Sequence, residues 1–255
     1  VPLHAISHAL TDVGRKRKKN EDSYLVNEAL GLFIVADGMG GHAGGDIASA
    51  EACDQVFAMV KRGTPTLDAF RAAPGPETAA AVRRVVEAAI QAATYMIFGI
   101  ADQDPSRKGM GTTISCLLVV GGRAFVGQVG DSRVYVLRGG VPTQITEDHT
   151  LINAQLKAGH ITPEQAKTAT YGNVITRAVG VSDHVQVDVF DFNVKVADRF
   201  ILCSDGVHGY LANDEELVAL CADRSMEQCA KDLVTWALER GGKDNATALI
   251  VDIAP

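Results

Sequence analysis

The chain has 255 residues, 47% of them hydrophobic and 22% charged, with a formal net charge of -7. That length suits one large domain with a sizeable core, or two small ones, and the balance excludes a disordered, collagen-like or low-complexity chain. The acidic charge, relieved by one basic run at Arg15-Lys16-Arg17-Lys18-Lys19, argues against nucleic acid as a partner. An acidic protein acting on an anionic substrate needs local positive charge, which metals or a few arginines can supply.

In chain order, the pattern predicts strands over 4–13 and 22–27, then a continuously apolar strand over 32–36. Apolar residues three or four apart follow, first Ile47, Ala50, Cys53, Phe57 and Val60, then Val82, Val86, Ile90, Ala93 and Ile97. These predict two helices, and the three prolines of 64–76 predict a loop between them. Apolar, β-branched runs at 112–120, 123–129 and 133–138 are separated or followed by Gly121-Gly122 and Gly139-Gly140. Glycine pairs supply the positive φ of tight hairpins, so an antiparallel meander is expected. Residues 148–177 are polar, with short helices over 151–158 and from Pro163, and suit a surface excursion beside a site. Strands at 185–190 and 199–203, helices at 214–221 and 225–240, and a last strand at 247–253 complete the order. The fold class expected is α+β, with helix pairs covering antiparallel sheets, and no composition shift divides the chain.

Five cysteines, Cys53, Cys116, Cys203, Cys221 and Cys229, lie in apolar segments without metal-type spacing. They are expected to be reduced packing thiols. No apolar run is read as reaching the ~18 residues of a membrane span, and the N-terminus lacks a signal-peptide pattern. A cytoplasmic location with no membrane contact within this chain is therefore expected. The missing initiator methionine leaves an anchor or further domain outside these residues open.

The most informative feature is a recurrence of aspartate at strand ends. Phe33-Ile34-Val35-Ala36 runs into Asp37-Gly38, Phe200-Ile201-Leu202-Cys203-Ser204 into Asp205-Gly206, and Val126-Gly127-Gln128-Val129-Gly130 into Asp131-Ser132. Asp244-Asn245 and Glu21-Asp22 each stand just before a strand. A single Asp-Gly is ordinarily a turn. Five carboxylates at the rim of a core are costly unless paired, and they repel one another. Divalent cations remove both problems, and all-oxygen ligation selects hard metals such as Mg²⁺ or Mn²⁺. Gly38, lacking a side chain, would let its carbonyl approach such a cation.

These motifs resemble the metal-dependent protein phosphatases of type 2C, in particular their bacterial serine/threonine branch. The likeness runs through Thr11-Asp12-Val13-Gly14-Arg15-Lys16-Arg17, Asn20-Glu21-Asp22-Ser23, Val35-Ala36-Asp37-Gly38-Met39-Gly40-Gly41 and Gly111-Thr112-Thr113. It continues through Val129-Gly130-Asp131-Ser132-Arg133, Asp148-His149, Asn173-Val174-Ile175-Thr176-Arg177-Ala178, Ser204-Asp205-Gly206 and Asp244-Asn245-Ala246-Thr247. The resemblance implies a four-layer α-β-β-α sandwich forming one catalytic domain over 1–255, with a flap at about 148–177 that shapes substrate choice. It implies metal ligation by Asp22, Asp37, Gly38, Asp205 and Asp244, with Asp37 bridging two Mn²⁺ or Mg²⁺ ions, and a third ion at Asp131 and Asp205. Arg17 is implied as the phosphate clamp, and Arg17 and Asp37 are the candidate catalytic residues. The implied substrates are phosphoserine and phosphothreonine proteins, including Ser/Thr kinases and their targets, met by a monomer.

Two metals about 4 Å apart can acidify a bridging water and stabilise an in-line phosphoryl transition state, so no cysteine nucleophile is required. Cys203 lacks a CxxxxxR phosphate loop and belongs to its strand. Lys16, Lys18 and Lys19 read as a solvated run, whereas a guanidinium at Arg17 can bond two phosphate oxygens at once. The proton donor is open. Eukaryotic relatives place a histidine directly after the Asp-Gly, where this chain has Met39. His42 reads better as a loop or capping residue, His149 as the maker of a supporting hydrogen bond, and a water on the metal is the other candidate. The competing readings are a non-catalytic phosphoprotein-binding module and a nucleotide binder using the loop 37–45. All four core aspartates being present argues against the first, and the missing Gly-Lys-Ser/Thr and GxGxxG patterns against the second.

Overall fold

The computed structural model describes residues 3–40, 44–169, 171, 174–213 and 215–255. Gly41, His42 and Asn173, named above, and residue 214, where a helix is expected to begin, lie outside the described residues. Strands β1 (His4–Asp12), β2 (Asp22–Asn27) and β3 (Leu32–Met39) precede helices α1 (Gly45–Arg62), α2 (Thr64–Ala72) and α3 (Pro76–Gln103). Then come β4 (Gly111–Thr112), β5 (Ile114–Val120), β6 (Arg123–Val129), β7 (Arg133–Arg138) and β8 (Val141–Gln144). Short helices α4 (Leu151–Lys157) and α5 (Pro163–Thr168) lead to β9 (Asp188–Asn193) and β10 (Arg199–Cys203). Helices α6 (Asp205–His208), α7 (Glu215–Cys221) and α8 (Met226–Glu239) precede the closing strand β11 (Ala246–Ala254).

The strands form two antiparallel sheets, one ordered β1-β11-β10-β7-β8 and the other β2-β3-β5-β6-β9, with β4 laid against β3. The apolar runs have no polar alternation because both faces of the central strands are covered. In β3, Phe33 and Val35 face the core between the sheets, while Leu32, Ile34 and Ala36 face α1 and α3. In β10, Phe200 and Leu202 face between the sheets, and Ile201 and Cys203 face α7 and α8. Three stacked cores thus make the four-layer α-β-β-α sandwich expected.

Several expectations need correction. The stretch 64–76 is mostly helix α2, because Pro65 falls in the first turn, where a missing N–H is harmless, and Leu67 and Phe70 bury one face. The meander fails at its third strand. β5 and β6 are a hairpin through Gly121 (φ +56°) and Gly122 (φ +77°), but β7 crosses to the other sheet and pairs with β10. Gly139 (φ +58°) and Gly140 (φ +79°) instead join β7 to β8, an edge strand too short and too interrupted by Pro142 to be read in sequence. The strand expected at 185–190 lies at Asp188–Asn193, since Val185 is spent on the core under α3. α3 has the length and composition to cross a membrane, although its apolar residues are not one uninterrupted run. Val82, Val86, Ile90 and Ile97 on it are buried in the helix–sheet core.

All five cysteines are buried free thiols. Burial pushes the Cys116 and Cys203 thiols up to about 12, which keeps them protonated and inert.

Candidate active site

The five aspartates gather at one end of the sandwich, and each sheet contributes. Asp22 begins β2 and stands opposite Asp37 in the β2–β3 register. Asp205 follows β10, Asp244 precedes β11, and Asp131 sits in the crossover from β6 to β7 that joins the sheets. Asp37 continues the β3 alternation of Phe33 and Val35, so it points between the sheets where the apolar core ends. It is not at the strand's end, as sequence suggested. β3 continues through it, exchanging β5 as a partner for β4.

Thr113, between β4 and β5, fills that exchange point. The Asp37 N–H donates to the Thr113 hydroxyl at 2.9 Å, and the Asp37 carbonyl accepts from the Thr113 N–H and the Thr112 hydroxyl, both at 2.9 Å. Three of the glycines beside the aspartates have a common cause. A Cβ on Gly38 would meet the Gly45 and Glu21 carbonyls at 2.0 and 2.5 Å, one on Gly206 the Asn245 carbonyl at 1.8 Å, and one on Gly14 the Asp244 carbonyl at 2.2 Å. They let separate backbone segments press together, so that carboxylates distant in sequence share a rim. Asn245 ties the same segments, donating to the Val13 and Lys19 carbonyls and accepting from the Glu21 N–H.

Asp22 is buried, and its Oδ2 accepts from the hydroxyls of Ser204 at 2.8 Å and Thr247 at 2.6 Å. Its Oδ1 is buried without a partner, as is Oδ1 of Asp205. Burial pushes Asp22 up to about 6, restrained by those two hydroxyls and raised again by Asp205 and Asp244. Burial and then the charges of Asp22, Asp205 and Asp131 hold Asp37 well above the usual carboxylate range. Burial followed by Asp205 pushes Asp131 up to about 7, and burial followed by Asp244 raises Asp205. Such crowding is unfavourable for carboxylates left to themselves and suited to an added positive charge. Among the described residues no three carboxylates already form a closed cage. What points to a divalent cation is the pair of orphaned buried oxygens in an all-oxygen donor set.

Two histidines brace the turn carrying Asp131. His208 Nε2 donates to the Asp131 carbonyl at 2.9 Å. His149 Nδ1 accepts the Gly130 N–H at 3.1 Å, which leaves the proton on Nε2 to be donated to Asp188 at 3.0 Å. His149 thus makes the supporting hydrogen bond expected of it. Arg17, on the exposed loop before β2, bonds Asp244 Oδ2 at 2.6 Å. The cleft has a volume of about 600 Å³ and is lined by Arg17, Glu21, Asp37, Asp131, Asp205 and Asp244, with Ile175 reaching it from the segment after α5. The cleft therefore brings together Arg17 and four of the five aspartates singled out in sequence, Asp37, Asp131, Asp205 and Asp244, with Gly38 also on the wall. Asp22 is buried behind it. Sequence reasoning gave no role to Thr113, Ser204, Asn245 or Thr247. Ser204, Asn245 and Thr247 stand in aspartate motifs, where a small hydroxyl or amide residue beside a carboxylate is the signal available, whereas Thr113 meets Asp37 only through the fold.

A sequence profile described as protein phosphatase 2C matches residues 14–240. Asp244 lies just outside that match, so its place in the cluster rests on the fold. The serine/threonine phosphatase stp of Listeria innocua is 35% identical over 245 residues, covering 95% of this chain and 93% of that protein. The crystal structure of the Mycobacterium tuberculosis serine/threonine phosphatase PstP/Ppp superposes with a TM-score of 0.85 at 32% identity, covering 99% of this chain and all of that one. A catalytic domain of PstP in complex with two manganese ions superposes at 0.84 with 31% identity, over 99% of this chain and 100% of that chain.

Proposed function

The chain belongs to the protein phosphatase 2C family and is a protein serine/threonine phosphatase using Mn²⁺ or Mg²⁺, and from that premise we propose which residues do the work. Asp22, Asp37, Gly38, Asp205 and Asp244 hold two cations directly or through water, Asp131 with Asp205 holds a third, and Arg17 takes the phosphate. The observation that best supports this reading is the pair of buried, unbonded carboxylate oxygens on Asp22 and Asp205. When bound, divalent cations supply a nucleophilic water near neutral pH and neutralise charge on the phosphoryl group.

The chain's own residues supply position. Thr112 and Thr113 fix the Asp37 backbone, and Ser204 and Thr247 hold Asp22 in one orientation, leaving Oδ1 free. Arg17 is half-exposed and uses one nitrogen on Asp244, so its remaining donors can form the paired bonds a phosphate dianion accepts. No cysteine is used, since Cys203 is buried inside β10. The described lining of the cleft holds no histidine, cysteine or tyrosine, and His42 lies outside the described residues, so that histidine and a water in the cleft are the two candidates for the proton the leaving alkoxide needs.

On this reading residues 1–255 are a single catalytic domain, and 148–177 is a flap beside the cleft, to which Ile175 belongs. The protein acts as a monomer in the cytoplasm on phosphoserine and phosphothreonine proteins, among them Ser/Thr kinases and their substrates. The direct test uses protein stripped of metal by a chelator, a phosphothreonine peptide, and Mn²⁺ or Mg²⁺ added back. Turnover should return on addition in the wild type and not in Asp37→Asn. Turnover without metal, or full activity in the variant, would overturn the assignment. A phosphorylated Ser/Thr kinase left untouched by active enzyme would remove the kinase from the substrates.

A further inference from the structure

Past Asp131, Asp205 and Asp244, the catalytic cleft continues into a second cleft of about 600 Å³. Ile152 of α4 and Ala166 of α5 line it from the flap, and Tyr210 and Leu211 line it from the segment after α6. A phosphorylated side chain of a protein enters the first cleft with polypeptide on both sides of it. The second cleft shares three residues with the first, so it is where one of those flanks has room to lie.

Lys243 also lines this second cleft. Its backbone is held firmly. The Lys243 N–H donates to the Tyr210 hydroxyl at 2.9 Å, the neighbouring Gly242 carbonyl accepts from the Arg15 N–H at 2.7 Å, and the Asp244 carbonyl is packed against Gly14. The side chain itself is exposed. Among the described residues three arginine or lysine side chains line the two clefts, and two are engaged: Arg17 by Asp244 at 2.6 Å, and Arg133 by both oxygens of Asp148 at 2.9 and 2.7 Å. Lys243 has no ion pair among the described residues. A fixed backbone presenting a free ammonium over a substrate path favours an anionic neighbour and disfavours a cationic one.

We propose that Lys243 is a specificity-determining residue, selecting phosphoserine and phosphothreonine sites that are flanked by acidic side chains lying in the second cleft. This rests on the first cleft being the catalytic centre, and the test separates the two. Two phosphothreonine peptides would be compared, one with aspartates at the two positions on each side of the phosphothreonine and one with alanines there, alongside p-nitrophenyl phosphate, which has no flank. In wild type with Mn²⁺, kcat/KM should be about fivefold higher for the acidic peptide, the scale of one partly exposed ion pair. The preference should shrink in 0.5 M salt. Lys243→Ala should abolish it by raising KM for the acidic peptide with kcat nearly unchanged, Lys243→Glu should reverse it, and Lys243→Arg should retain it. p-Nitrophenyl phosphate turnover should stay within about twofold throughout, which also reports that Asp244 is undisturbed. Absence of the preference in wild type, or its survival in Lys243→Ala, would overturn the proposal. If wild type with Mn²⁺ hydrolyses none of the three substrates, the catalytic assignment fails instead.

Discussion

Strands β10 and β11 carry carboxylates at both of their ends, and the two ends are treated in opposite ways. At one end Asp198 is almost fully buried and completely satisfied: Arg138 bonds both of its oxygens at 2.8 and 2.6 Å, and the Lys195 N–H adds a third bond at 2.7 Å. Asp252 is likewise held by two nitrogens of Arg199, both at 2.7 Å. At the other end Asp205 keeps a buried oxygen with no partner, and Asp22, Asp37 and Asp131 have no arginine of their own among the described residues. Of the five, Asp244 alone has an ion pair among the described residues, with Arg17. A protein that brings guanidinium groups to its structural carboxylates has the means to neutralise the others. Leaving them crowded and unpaired costs stability, which is the arrangement expected where an exchangeable cation is to be held.

The largest test of that contrast is Asp37→Asn. Activity on a phosphothreonine peptide should fall by about a thousandfold or more, while thermal unfolding of the metal-free protein moves to higher temperature as mutual repulsion is relieved. A metal-free variant less stable than wild type would mean the cluster is not strained. The opposite end should behave in reverse. Asp198→Asn should keep kcat and lower stability by about 2 kcal/mol, discounted because Arg138 is partly exposed, or about 6 °C in Tm. Lost activity with unchanged Tm would contradict the division between the ends.

Arg17→Ala should raise KM for the phosphopeptide by about tenfold and leave Mn²⁺ affinity, measured by calorimetry, within a few-fold. An unchanged KM with lost metal would remove Arg17 from phosphate binding. The smallest effect is in pH. Asp22 and Asp131, raised to about 6 and 7 in the folded state, bind protons more tightly folded than unfolded. Their contribution is therefore fully present below about 4 and is lost as pH rises through about 7. Metal-free protein should melt a few degrees lower at pH 7.5 than at pH 5, and Mn²⁺ at pH 7.5 should restore it. Asp22→Asn should flatten part of the slope, and an equal slope in the variant would assign the effect elsewhere.

Much of this was legible before any coordinates. The apolar runs ending in Asp37, Asp131 and Asp205 marked both the central strands and the site, because burial on two faces removes polar alternation and a charge at the rim then stands out. What escaped was short or context-dependent. β8 has four residues and a proline, α6 has four residues, and α2 was hidden by prolines that a first helical turn tolerates. The supporting hydroxyls of Thr113, Ser204 and Thr247 were unassigned because a serine or threonine looks the same in sequence whether it faces solvent or a carboxylate.

The sequence by itself therefore determined the α+β class and the placing of aspartates at the rims of apolar strands, since hydrophobic pattern is a local property, and its motifs carried the resemblance that the protein phosphatase 2C match bears out. Only the tertiary structure decided which sheet each strand joins, where Gly130 and Asp131 carry the chain across, and which oxygens are left without partners. Those depend on how segments more than a hundred residues apart pack together. The glycines at 14, 38 and 206 show why: their small size is plain in sequence, but the carbonyl each must admit comes from another part of the chain.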